Sequence, residues 1–107
     1  MTFPKQYEVF LAALDPTTGA EIKKTRPCII ISPDEMNKRL RTVIIAPMTS
    51  NNRNYPFRTR SFFKNKEGSI ALDQMRCLDK SRLFKRLGIL PHEQASEISD
   101  RLVEIFS

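Results

Sequence analysis

The chain has 107 residues, a net charge of +6, one histidine and two cysteines. That length sets a single domain, residues 1–107, whose core holds without disulfide staples. One histidine and two separated cysteines exclude a structural zinc site built from this chain alone. No apolar run reaches the length of a membrane span and the start shows no signal-peptide pattern, so a cytoplasmic protein without membrane contact is expected.

In chain order, Tyr7 to Leu14 reads as a first strand, apolar and rich in β-formers. Asp15-Pro16-Thr17-Thr18-Gly19 is turn chemistry, and Glu21, Lys23 and Lys24 keep the following loop polar. Pro27 to Ser32 is a continuous apolar strand, as expected of one buried on both faces. Ser32-Pro33-Asp34-Glu35 opens a short helix. Thr42 to Ala46 is the next strand, ending in Pro47-Met48-Thr49-Ser50. Phe57 to Phe62 alternates as a strand with one wet face does, and Lys64 to Gly68 reads as a turn.

Ser69 to Asp73 and Met75 to Leu78 are two further strand pieces. Asp79 to Arg82 suits one helical turn, and Leu87 to Leu90 a brief strand or connector. Pro91-His92-Glu93 opens a C-terminal helix. Its apolar stripe is Ile98, Leu102 and Ile105, with Phe106 beside them. Cys28 and Cys77 lie in apolar runs and read as reduced, packed thiols. The sum is a mainly β fold: a barrel or strongly bent antiparallel sheet with a short helical insert and a C-terminal helix.

Charge is segregated along the chain. From Met36 to Lys66 there is no acidic residue, against Lys38, Arg39, Arg41, Arg53, Arg58, Arg60, Lys64 and Lys66. The tail from Pro91 is acidic, with Glu93, Glu97, Asp100 and Glu104 against Arg101. A basic face of this kind attracts polyanions.

Arg26 precedes Pro27, which biases its backbone toward extended geometry and sets its side chain on a strand start. Thr49 and Ser50 stand at another strand end. A guanidinium fork matches phosphate oxygens and a hydroxyl donates to them, so the pair suits a phosphodiester. Glu21 is the candidate base in the loop before Arg26. Thr18, Lys23, Lys24, Arg53, Tyr55, Asp73, Gln74 and Arg76 join Ser50 as candidate nucleic-acid contacts, Tyr55 by stacking, and Asp73 and Gln74 by reading a base edge or orienting Arg26, with a turn cap the other reading of Asp73. Gly19, Gly68 and Gly88 are too scattered for a phosphate-cradling loop, no carboxylate cluster suits two metal ions, and no serine lies in an elbow motif. A nuclease made of these residues is expected to work without metal or other cofactor.

The segments Leu14-Asp15-Pro16-Thr17-Thr18-Gly19-Ala20-Glu21, Arg26-Pro27, Ala46-Pro47-Met48-Thr49-Ser50, Tyr55-Pro56-Phe57, Gly68 to Gln74 and Asp79 to Leu83, in this order and spacing, resemble the MazF/PemK family of toxin endoribonucleases. The resemblance implies an SH3-like barrel, a homodimer, and sequence-specific cleavage of single-stranded RNA. It implies catalysis by Arg26 and Thr49 with a contribution from Glu21, and a labile antitoxin whose acidic, extended tail fills the RNA groove. The chain departs from many members in lacking a glycine before the first strand and a tryptophan within it. It also carries Ala71 where some members place an arginine, and no histidine in the first loop. The residues alone leave two alternatives open: a toxin of the same fold that poisons DNA gyrase as CcdB does, and a nucleic-acid-binding module without activity.

Overall fold

The computed structural model describes residues 2–14, 25–50 and 58–107. Thr18, Glu21, Lys23, Lys24, Arg53, Tyr55 and Phe57 lie outside them. The described elements are β1 (Glu8–Ala13), β2 (Thr25–Ile30), α1 (Asp34–Arg39), β3 (Thr42–Thr49), β4 (Arg58–Phe63), β5 (Lys66–Ala71), a 3-10 turn (Leu72–Gln74), β6 (Arg76–Asp79), a second 3-10 turn (Lys80–Arg82), β7 (Leu83–Ile89) and α2 (His92–Phe106). The strands form an antiparallel sheet in the order β4-β5-β3-β2-β1-β7, with β6 also on β3. This is the mainly β, strongly bent sheet with a short helical insert and a C-terminal helix that the sequence pattern implies.

β2 is buried on both faces, as its unbroken apolar run requires. Ile29 and Ile31 join Val9, Ala46, Ile70, Leu72, Leu90 and Ile98 in one cluster, while Cys28 and Ile30 join Ala12, Leu14, Val43, Ile45 and Leu78 in another. The first cluster is closed by α2, whose Leu102 and Ile105 pack beside Ile98. Phe106 is 74% exposed and does not share that stripe. It follows Ile105 by one residue, about 100° around the helix, which turns it off the packed face.

β3 is the organising strand. It runs three residues past the expected Ala46. Its first half pairs with β6 (Thr42↔Asp79 to Ile45↔Arg76) and its end with β5 (Met48↔Ile70, Thr49↔Ser69). Pro47 stands at the changeover between these two partners, an irregular point where a strand tolerates proline.

The expected turn from Lys64 to Gly68 contracts to two residues. Lys64 and Asn65 have φ of 50° and 63°, and Phe63 pairs with Lys66 across them. This is a primed hairpin turn, whose twist matches that of the flanking strands, so Lys66, Glu67 and Gly68 enter the ladder. β7 also exceeds the short connector expected, because it pairs along β1 from Glu8↔Ile89 to Ala12↔Leu83 with two register shifts.

Tyr7 explains the missing glycine before β1. It has φ 70°, a conformation that costs a non-glycine residue roughly 1–2 kcal/mol. Three bonds hold it there. Its N–H donates to the Ile30 carbonyl (2.6 Å), its carbonyl accepts from the Leu90 N–H (3.1 Å), and its hydroxyl bonds the Ser99 hydroxyl on α2. A tyrosine thus ties β1, β2, the end of β7 and α2 together where a glycine would give only the bend. The other helix, α1, is tied down by a buried polar pair, Asn37 donating to the Ser32 carbonyl (2.9 Å) while the Ser32 hydroxyl donates back to Asn37.

Candidate active site

Several strand segments converge on one groove of about 700 Å³: Thr25–Pro27 of β2, Met48 and Thr49 of β3 with Ser50 behind them, Ser61 and Phe63 to Gly68 of the β4–β5 hairpin apart from Asn65, and Leu87 of β7. Arg26, Thr49 and Ser50 all line it, beside Lys64, Lys66 and Glu67. The two strand ends singled out by their sequence therefore meet.

Register explains why. β2 and β3 are antiparallel with Cys28 opposite Pro47, and the same register carried two residues further sets Arg26 opposite Thr49. On the other side, Thr49 is opposite Ser69 and Ser69 is opposite Arg60. Opposed residues of antiparallel strands share a face. One transverse row thus reads Arg26, Thr49, Ser69, Arg60 across β2, β3, β5 and β4, with neighbouring strands about 4.8 Å apart. Two guanidinium groups flank two hydroxyls.

Each member of the row is held differently. Arg26 is half-buried and has no ion-pair partner among the described residues. Its backbone is anchored by the Cys28 thiol, which donates to the Arg26 carbonyl at 3.5 Å. Burial pushes that thiol up to about 12, against the opposing pull of the Arg26 and Arg76 charges, so it stays a neutral donor. Thr49 Oγ1 lies 3.2 Å from Ser69 Oγ, a hydroxyl–hydroxyl bond that orients both. Gly68 lets β5 approach this point: a Cβ there would stand 2.2 Å from the Thr49 carbonyl oxygen.

Other expected residues fall elsewhere. Asp73 does not orient Arg26. Its carboxylate is gripped by Arg58, at 2.9 Å to Nε and 3.2 Å to the second nitrogen. The hydrogen bond from Arg58 holds Asp73 below its ordinary carboxylate value. Gln74 is exposed at the end of the 3-10 turn, and Arg76 is exposed on β6 opposite Ile45, away from the row but close enough for its charge to act on Cys28. His92 is exposed at the start of α2. Cys77 is exposed, not packed, because it faces outward opposite the half-buried Ile44.

Sequence reasoning passed over Ser69 as a site residue and took Arg60, Lys64 and Lys66 only as part of the basic stretch. The available signal was the alternation Glu67-Gly68-Ser69-Ile70, which puts Glu67 and Ser69 on one face. Its link to Thr49 depends on a register between strands twenty residues apart in sequence.

A family model described as PemK-like, MazF-like toxin of type II toxin-antitoxin system matches residues 5–106. The chain belongs to this family. Among solved structures, the fold is similar to MazE–MazF (Form-II) from Deinococcus radiodurans, with 25% identity and a TM-score of 0.84 over 99% of this chain and 97% of that one. It is also similar to MazF (Form-I) from the same organism, at 24% identity and a TM-score of 0.81 over 99% and 98%. An endoribonuclease in complex with its cognate antitoxin from Mycobacterial species matches at 20% identity and a TM-score of 0.80 over 96% and 94%.

Proposed function

We propose that the protein is a metal-independent endoribonuclease that cuts single-stranded RNA at a short sequence. The observation that carries this reading is the shared groove and register of Arg26 and Thr49. In the reaction, the 2′-oxygen of one nucleotide attacks its own 3′-phosphate. The new O2′–P bond forms as the P–O5′ bond breaks, leaving a 2′,3′-cyclic phosphate and a 5′-hydroxyl. The 2′-hydroxyl loses its proton to a base, and the departing O5′ gains one.

Arg26 neutralises the charge that builds on the phosphate oxygens, where a preorganised cation is most effective. Thr49, oriented by Ser69, donates to the phosphate or the leaving oxygen. The base role falls to Glu21, an acid that precedes Arg26 in sequence, to which the family resemblance gives a contribution and which lies outside the described residues. Attack in line with O5′ is reached easily by an unpaired strand and resisted by an A-form duplex, and unpaired bases also expose their edges for selection.

The chain acts as a homodimer in the cytoplasm and is silenced by an antitoxin whose acidic, extended tail fills the groove. The cationic lining from Arg26, Lys64 and Lys66 favours such a tail. The similar structures that contain MazE or a cognate antitoxin support a partner of this class.

Purified protein incubated with a long unstructured RNA in EDTA is expected to give discrete fragments ending in 2′,3′-cyclic phosphate. RNA left intact, or cut only when divalent metal is supplied, contradicts the proposal.

A further inference from the structure

The row that begins at Arg26 does not stop at Thr49. It continues through Ser69 to Arg60, on β4, and the next residue of β4 on the same face is Phe62, opposite Glu67. Arg60 is exposed and has no ion-pair partner among the described residues. Phe62 is 57% exposed, although Thr59 and Ser61, its strand neighbours on the other face, are buried at 1% and 6%. A cavity of about 290 Å³ lies here, and it shares Ser61, Glu67 and Gly68 with the larger groove.

The strand that carries this pair is fixed on both sides. The primed turn at Lys64 and Asn65 locks it to β5. On its other edge, the side-chain amide of Gln94 stands in for a neighbouring strand: the Phe62 N–H donates to Gln94 Oε1 (3.4 Å) and Gln94 Nε2 donates to the Phe62 carbonyl (3.3 Å). Such a cap closes the edge to further strand pairing. The backbone that carries the exposed ring is therefore fixed, beside the exposed Arg60.

We infer that Arg60 and Phe62 form a second nucleotide subsite, which takes one further residue of the RNA strand being cut: its phosphate on Arg60, its base stacked on Phe62. This rests on the endoribonuclease reading for the identity of the strand. Arg60 stands three strand spacings from Arg26, about 14 Å, a separation that calls for a different phosphate from the scissile one. Every base has a π-face, so a subsite built on stacking adds affinity without selecting sequence. Glu67, directly across from Phe62, repels a second phosphate at that spot and leaves it to the base.

The test uses a fluorescein-labelled RNA of randomised sequence, about a dozen nucleotides long, 2′-O-methylated throughout so that it cannot be cut. Binding is followed by anisotropy over a salt series. Phe62→Ser is expected to weaken binding about tenfold, with Phe62→Tyr close to wild type. Arg60→Gln is expected to lower the slope of log affinity against log salt by about 0.7, the share of one phosphate on a single strand. Lys5→Gln, exposed ahead of β1 and outside the basic stretch, serves as the charge-matched control with an unchanged slope. Affinity and slope unaffected by both changes at Arg60 and Phe62, or no binding by the wild-type chain, overturn the inference. Cleavage of unmodified RNA is assayed alongside. Weakened binding in the variants without cleavage by the wild type removes the catalytic reading and keeps the subsite, whereas cleavage with unaltered binding does the reverse.

Discussion

Arg26→Ala is expected to slow RNA cleavage by about 100- to 1,000-fold, the usual loss when one preorganised electrostatic group is removed from a reacting centre. The same change is expected to leave stability within about 0.5 kcal/mol of wild type, as for substitutions away from packed or paired features. Arg26 is half-buried, sits at the groove end of β2, and has no ion-pair partner among the described residues. Arg26→Lys is expected to recover only part of the rate, because an ammonium keeps the charge but not the two parallel donors that match phosphate oxygens. Single-turnover rates with denaturant melts on the same samples decide the matter. An Arg26→Ala chain that cuts at the wild-type rate removes the proposed mechanism.

Gly68→Ala is expected to fail for a different reason. The added methyl would stand 2.2 Å from the Thr49 carbonyl oxygen and 3.2 Å from the carbonyl carbon, both backbone atoms. No rotamer relieves that clash. β5 must move away from β3 at the point where Met48 pairs with Ile70 and Thr49 with Ser69. Overpacking of this kind costs roughly 1–3 kcal/mol. The activity loss should exceed what the unfolded fraction explains, since a displacement of about 1 Å at a reacting group can cost a factor of 100. Urea melts give the first quantity, and cleavage corrected to folded protein gives the second. Wild-type stability and rate in Gly68→Ala would show that β5 does not hold the Thr49 backbone.

Much of the fold was legible because its signals are local. The unbroken apolar run of β2 predicts burial on both faces, and Cys28/Ile30 and Ile29/Ile31 divide between the two clusters as that requires. Ile98, Leu102 and Ile105 at helical spacing place α2 against the sheet. What escaped is nonlocal. β3 passes through Pro47 because two different strands take up its edge in turn. β7, with Lys85, Arg86 and Gly88, reads poorly as a strand and forms because β1 offers it a ladder. Lys64-Asn65 carries a weak turn signal next to Asn-Gly, so the primed geometry was hidden.

The site divides in the same way. Arg26 and Thr49 stood out as a cation and a hydroxyl at strand ends. Ser69, Gly68 and Arg60 did not, since each matters only through a pairing register that no single segment encodes. Asp73 illustrates the converse: an acid beside an apolar strand suggested base reading or support of Arg26, and the pairing that forms is with Arg58 across β4 and the 3-10 turn.

The central claim is that the guanidinium of Arg26 and the hydroxyl of Thr49 act together on one scissile phosphate. A double-mutant kinetic cycle tests it most directly, using single-turnover cleavage of one RNA by wild type, Arg26→Ala, Thr49→Val and the double variant. Groups that serve a single transition state lose less together than the product of their separate losses. The expected result is a double variant hardly slower than Arg26→Ala. Losses that multiply in full would contradict shared action at one phosphate.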